Sequence, residues 1–222
     1  MGKSDVIVPR VQPRSILFEA LPVLLVTLGA AAVLGILGYR WLSGAAGIVA
    51  LFVLWFFRNP ERIIPQDQNA VVSPADGRVV EVSKVHEDHL LHREAIKIGI
   101  FMSPLDVHVN RIPFGGKILA VLHQSGKFHS AFKADASLEN EQNAVLLETP
   151  TGKKILFVQI AGMLARRIVC WIREGEQVQK GQRFGMIKFG SRLDLYLPPD
   201  TQVFVRLGEK VKGGATLIGI LQ

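Results

Sequence analysis

The 222-residue sequence predicts a mainly β protein preceded by an N-terminal apolar helical hairpin, on three observations. Most of the strongly apolar sequence is gathered into two early runs. From Ala70 onward the apolar runs shorten to four to seven residues broken by Gly, Pro, Asp and Asn, the punctuation of strands and turns. Within that later region a glycine-bounded segment, Gly175-Glu-Gln-Val178-Gln-Lys-Gly181, recurs thirty-three residues on as Gly208-Glu-Lys-Val211-Lys-Gly-Gly214.

The first run, Ala20 to Tyr39, holds twenty residues without a charge, and the second, Trp41 to Phe57, holds seventeen; Arg40 alone separates them. A bilayer-spanning helix needs about 20 apolar residues, so two spans or one hairpin dipping into the membrane both fit. Pro22 lies near the start of the first run, and Ser43-Gly44 offers a turn between the halves. Lys3, Arg10 and Arg14 precede the runs and Arg58 and Arg62 follow them, which places both ends in the cytoplasm. The expected organisation is a basic segment over residues 1–18, a membrane-associated hairpin over 19–57 and a β domain over 58–222. A cleaved signal peptide fits poorly, because the apolar stretch is too long and lacks a polar cleavage region.

In the β region the expected strands are Ala70–Ser73, Gly77–Lys84, Ala95–Phe101, His108–Ile112, Gly115–Leu122, Asn143–Glu148, Lys154–Ile160, Ile168–Trp171, Arg183–Phe189, Leu193–Leu197 and Gln202–Arg206. Glu87 to Leu91 and Ala161 to Arg166 are expected as single helical turns. In the repeated segment, glycine at each end permits a positive-φ turn while the valine ties it to the core. With Val72-Ser-Pro-Ala-Asp76-Gly77-Arg-Val79, these turns resemble the two-fold hammerhead of biotinyl and lipoyl carrier domains. That resemblance implies a barrel-sandwich-hybrid-like β domain.

A formal net charge of +7 invites a polyanionic partner. The membrane accounts for it better than nucleic acid, since basic residues beside an apolar anchor are drawn to anionic headgroups and no aromatic-plus-basic RNA motif is present. The one cysteine, Cys170, excludes an internal disulfide and reads as packing in a buried strand. His86, His89 and His92 recur every three residues beside Glu87 and Asp88. Without a matching second cluster they do not make a metal site.

The most informative residues are Gly190-Ser191, in the run Arg183-Phe-Gly-Met-Ile-Lys-Phe-Gly190-Ser191-Arg192. An amide before serine can rearrange when the hydroxyl attacks the preceding carbonyl, and glycine leaves that approach open. Loss of the serine α-proton then breaks the resulting ester, and hydrolysis of the dehydroalanine leaves a ketone and ammonia. Asp76 and His108 suit a relay in which a carboxylate orients an imidazole that deprotonates a hydroxyl. Their bland alternatives are an Asx turn before Gly77 and an ordinary strand histidine. His129 is the reserve base, and Arg166 and Arg167 are either lipid-phosphate contacts or a solvated strand edge.

Four ordered motifs, Phe57-Arg-Asn-Pro60, Ser73-Pro-Ala-Asp76-Gly77, Phe101-Met-Ser-Pro-Leu-Asp106-Val-His108-Val-Asn110-Arg111 and Phe189-Gly190-Ser191-Arg192, follow the apolar pair. Along nearly its whole length the chain resembles the short, membrane-associated class of phosphatidylserine decarboxylase proenzymes. The resemblance implies cleavage at Gly190-Ser191 into a β chain, residues 1–190, and an α chain, 191–222, whose first residue becomes a covalent pyruvoyl cofactor derived from Ser191. It further implies phosphatidylserine as substrate, phosphatidylethanolamine and carbon dioxide as products, a cell-membrane location with the catalytic domain on the cytoplasmic side, and a homodimer as a possible assembly. Asp76 and Ser191 map onto the family's self-cleavage relay, and His108 onto the first histidine of an Asp-x-His-x-x-His motif, as relay base or as the acid and base of decarboxylation. Longer members carry Leu-Gly-Ser-Thr at the cleavage site and a second histidine where Arg111 stands here, so the relay base is His108, His129 or another group.

Two other classes compete. A membrane-anchored adaptor with a lipoyl-like domain would share the anchor and the β turns, but it would insert a long helical hairpin with heptads, or present a carrier lysine between its half-repeats. A Ser-His-Asp hydrolase would need a Gly-x-Ser-x-Gly elbow, and Ser191 is followed instead by Arg-Leu-Asp.

Overall fold

The computed structural model describes residues 14–126, 140–162, 167–188 and 191–222, which form two compact units, one within Arg10–Pro60 and one within Glu61–Gln222. The first is a hairpin of α1 (Arg14–Ile36) and α2 (Arg40–Phe56). Residues 19–36 are long and apolar enough to cross a membrane, whereas α2 is a shorter apolar helix. The connection differs from the expected Ser43-Gly44 turn. It falls at Leu37 to Tyr39, where Gly38 takes φ +84° and the Gly38 amide donates to the Gly35 carbonyl, a glycine helix stop. Ser43 sits inside α2, and its hydroxyl donates 2.7 Å to the Ala31 carbonyl, tying the two helices together. Pro22 also lies deeper than expected, inside α1 rather than in its first turn, because the helix starts upstream of the apolar run.

The β unit is built from β1 (Ala70–Val72), β2 (Gly77–Glu87), β3 (Arg93–Met102), β4 (Val109–Arg111), β5 (Gly116–Gln124), β6 (Gln142–Glu148) and β7 (Lys154–Ala161). It continues through β8 (Ile168–Cys170), β9 (Gln177–Val178), β10 (Arg183–Ile187), β11 (Ser191–Leu197), β12 (Gln202–Val203), β13 (Lys210–Val211) and β14 (Leu217–Ile220). An eight-stranded antiparallel sheet, ordered β13-β2-β3-β11-β7-β6-β5-β9, curls into a half-barrel, accompanied by the three-stranded sheets β1-β14-β12 and β4-β10-β8. The sequence expectation of a mainly β fold behind a helical hairpin is met. The strands β9, β13 and β14 were not among those expected.

The repeated segment is built the same way twice. Gly175 and Gly208 both take φ +85°, and Gly181 and Gly214 both take φ +76°. The Gly175 and Gly208 amides each donate 2.8 Å to a strand carbonyl, of Ile118 and Val79 respectively. Val178 and Val211 enter the main core, and the short strands carrying them, β9 and β13, close opposite edges of the large sheet. Glu87 to Leu91 is a turn rather than a helical turn: the Glu87 carboxylate accepts from the amides of His89 (3.0 Å), Leu90 (2.8 Å) and Leu91 (2.6 Å). His86 pairs with Glu94 at 3.1 Å and with Asp88 at 3.6 Å, and among the described residues no group of three His, Cys, Asp or Glu is placed to hold a metal.

Two expectations follow. At Gly175 an added Cβ meets nothing within 4 Å, whereas at Gly181 it would lie 2.3 Å from Ile64 Cδ1. Gly175→Ala should therefore cost about 1 kcal/mol, the strain of a left-handed residue, and Gly181→Ala measurably more, by urea unfolding in detergent. Burial would raise the Glu87 carboxyl, but the amides of Leu91, Leu90 and His89 outweigh it and hold the group below its ordinary value of 4.5. Its contribution to stability is complete above 4.5 and is lost as pH falls through the lower, folded-state value. Glu87→Gln should lower the neutral plateau of an unfolding-versus-pH curve and flatten its acid limb between 4.5 and that lower value.

Candidate active site

Alternation along β11 sets the site. Ser191, Leu193, Leu195 and Leu197 point inward, the three leucines joining the main core with Ile96, Ile98, Ile100 and Met102 of β3 and Ile155, Phe157 and Ala161 of β7. Register then brings Ser191 opposite Met102 on one side and Ala161 on the other. At that end the inward face turns from apolar to polar. Asn143 and Gln159 are cross-strand partners on β6 and β7, with the parity of their strands' core residues. Asn110 on β4 and Ser191 complete the group; Asn110, Gln159 and Ser191 have no exposed surface and Asn143 only 3%.

The polar groups form a chain. Asn143 Nδ2 donates 3.0 Å to Gln159 Oε1, and Gln159 Nε2 donates 2.8 Å to Asn110 Oδ1. Asn110 Nδ2 lies 3.6 Å from Met102 Sδ, and the Ser191 hydroxyl lies 3.4 Å from the same sulfur. Gly185, paired with Asn110 across β4 and β10, makes room for this: a Cβ there would sit 3.0 Å from Gln159 Nε2 and 2.3 Å from the Val169 carbonyl oxygen.

His108, fully buried, precedes β4 by one residue, and its carbonyl accepts from the Ile187 amide at 3.4 Å, four residues before Ser191. Its Nδ1 lies 3.0 Å from the Asp106 carbonyl oxygen. A carbonyl only accepts, so Nδ1 carries the proton and Nε2 is the basic nitrogen. Asp76 is held in its own cluster, with Oδ2 2.7 Å from Arg62 and Oδ1 accepting from the Gly213 amide at 2.8 Å. Burial raises its pKa; Gly213 and Arg62 oppose that shift, and the nearby Asp106 carboxylate adds to it. Asp76 therefore neighbours the corner that orients His108. Arg111, where a second histidine was expected, donates 3.0 Å to the Gly181 carbonyl, and burial with Arg183 and Arg62 nearby lowers its pKa to about 10. Gly190, His129 and Arg166 lie outside the described residues. A cavity of about 750 Å³ lined by Ile64, Phe114, Lys153, Val178 and Lys180 holds none of Ser191, His108 or Asp76.

The opposite face of β11 carries charge. Arg192 contacts Asp194 at 2.5 Å and also Glu81, while Lys97 lies 3.3 Å from both carboxylates. Burial would lower the Arg192 guanidinium, but Asp194 and Glu81 outweigh it and hold it above its ordinary value. Gly99 leaves space for that guanidinium, since a Cβ there would lie 2.5 Å from Arg192 Nη2. Sequence reading missed this quartet and the amide chain. The available signal was a polar residue isolated within an apolar strand, as in Ile155-Leu-Phe-Val-Gln159-Ile-Ala161.

The phosphatidylserine decarboxylase family model matches residues 49–219. A phosphatidylserine decarboxylase proenzyme from Pelobacter propionicus is 50% identical over 179 residues, covering 81% of each chain. The proenzyme of that name from Geotalea uraniireducens is 48% identical over 189 residues, 85% of this chain and 88% of its own. A third, from Carboxydothermus hydrogenoformans, is 48% identical over 196 residues, 88% of this chain and 92% of its own.

Removing a buried member of the quartet strands its partners. Asp194→Ala should cost about 3–5 kcal/mol in denaturant unfolding. The double change Arg192→Met with Asp194→Leu should recover much of that loss, because it removes charge from both ends of the contact.

Proposed function

The chain belongs to the phosphatidylserine decarboxylase family, and from that premise we propose that it cuts itself at Gly190-Ser191 and then decarboxylates phosphatidylserine to phosphatidylethanolamine and carbon dioxide. The observation that carries this reading is the position of Ser191. It is the first residue of a central strand, turned inward at the polar end of the core, with its hydroxyl on a thioether rather than a strong acceptor. The reading takes the Ser191 hydroxyl to add to the Gly190 carbonyl, exchanging the amide for an ester and freeing the residue-191 amine. Loss of the α-proton then expels the Gly190 carboxylate, and water replaces the nitrogen, released as ammonia.

His108 supplies the proton acceptor in this scheme. Its Nδ1 proton is anchored on the Asp106 carbonyl, leaving Nε2 to take the serine proton and return one later. Asp76, held by Arg62 and the Gly213 amide, sets the field beside the Asp106 carboxylate. The surroundings of residue 191 suit a pyruvoyl group: a methyl ketone needs no more space than serine, and the small Ala161 and the flexible Met102 flank it. Such a group supplies a carbonyl electron sink for the electrons left when carboxylate departs.

In the same reading the hairpin of residues 19–57 lies in the membrane that holds the substrate, with residues 58–222 as the catalytic domain on the cytoplasmic side. Trp55 at the end of α2, with Arg58 stacked 3.8 Å from its ring, is the aromatic-basic pairing expected at a lipid headgroup boundary.

Intact-mass analysis of the purified protein should give two polypeptides, 1–190 and 191–222, the smaller with a carbonyl-bearing, amine-free start. Ser191→Ala should remain one chain and release no carbon dioxide from phosphatidylserine vesicles. A wild-type chain that stays whole and inactive would sink the reading. His108→Ala should lower cleavage by at least about 10²-fold, the usual contribution of a general base.

A further inference from the structure

The proton path above makes no use of the buried amides, although three side-chain amides inside an apolar core are costly unless each is satisfied. Their hydrogen bonds run in one direction, each NH2 to the next oxygen, from Asn143 through Gln159 to Asn110. That direction fixes Asn110. Turning its amide over would set its NH2 against the NH2 of Gln159. The chain therefore delivers a hydrogen-bond donor, Asn110 Nδ2, to the end of the core where Ser191 stands. Among the described residues the donor meets there a thioether sulfur, a weak acceptor, which it shares with the Ser191 hydroxyl.

A strong donor, preoriented in a dry site and resting on a weak acceptor beside a reacting oxygen, is the arrangement that favours negative charge developing on that oxygen. Resting on the reading that residue 191 is the reacting residue, we propose that Asn110 is the hydrogen-bond donor to the Ser191 hydroxyl oxygen during self-cleavage. Gln159 and Asn143 are its positioning residues, and Met102 holds its place in the uncut chain. Asn110 serves the Ser191 oxygen as its proton leaves, before that oxygen departs with the Gly190 carboxylate. Gly185 lies against the same chain of amides: a Cβ there would press on the Gln159 amide at 3.0 Å, and harder on the Val169 carbonyl at 2.3 Å.

The experiment is a pulse-chase of self-cleavage in the full-length protein in detergent. It is scored only on the folded, protease-resistant fraction. Asn110→Asp keeps the shape and removes the donor, and should slow cleavage by about 10²-fold or more, the effect of losing one oxyanion donor. Gln159→Glu removes the bond that orients Asn110 while keeping the acceptor for Asn143. It should slow cleavage by a smaller factor. A purely structural role would lower the unfolding temperature yet leave the folded fraction cutting at the wild-type rate, and that result for either variant overturns the proposal. Should Asn110→Asp not fold, Gln159→Glu decides by the same criterion. The failure of the broader reading looks different: there the wild-type chain itself stays uncut.

Discussion

Strand β11 is hydrogen-bonded along both edges, to β3 and to β7, and its two faces carry opposite chemistry. Serine and three leucines point into the core, while Arg192, Asp194 and Tyr196 point away. A slip of one residue would drive the Arg192 and Asp194 charges into the apolar interior and carry Ser191 out of it. The quartet of Arg192, Asp194, Glu81 and Lys97 thus pins the register more firmly than a surface ion pair could, because its members have little water to fall back on. Everything at the site inherits that register.

The same pinning bears on what cleavage would leave behind. Residues 191–222 hold β11 to β14, and each of these strands is paired with a strand outside itself or with another in this segment. A chain cut just before Ser191 would keep its new end fixed by two ladders and by Arg192, the next side chain. A reactive group there would be placed by the sheet rather than by a loop, as a preorganised site requires.

Much of the architecture was legible in the sequence. The two apolar runs gave the helices, because length without charge has few other uses. The punctuated runs gave most of the strands, and the matched glycines of the repeat gave turns with matched dihedral angles. Strands β9 and β13 escaped because two residues carry no periodicity; they are strands only through distant partners at Lys117 and Arg78. The helix connection escaped for a related reason. Gly38 and Gly44 look alike in sequence, and the helices extend as far as the backbone bonds and the packing of Ser43 on Ala31 allow.

Sequence by itself determined the family, since four motifs in fixed order survive any uncertainty about the fold between them, and it singled out Ser191 as the residue proposed to react. It determined neither the amides behind Ser191 nor the charges beside it. Asn110, Gln159 and Asn143 are separated by 16 residues or more along the chain and read singly as ordinary polar strand residues. Strand pairing sets Asn143 beside Gln159, and Asn110 reaches them from β4 of a separate sheet. Strand alternation tells which residues share a face, but which faces meet is decided by long-range pairing, and that is a property of the tertiary structure alone.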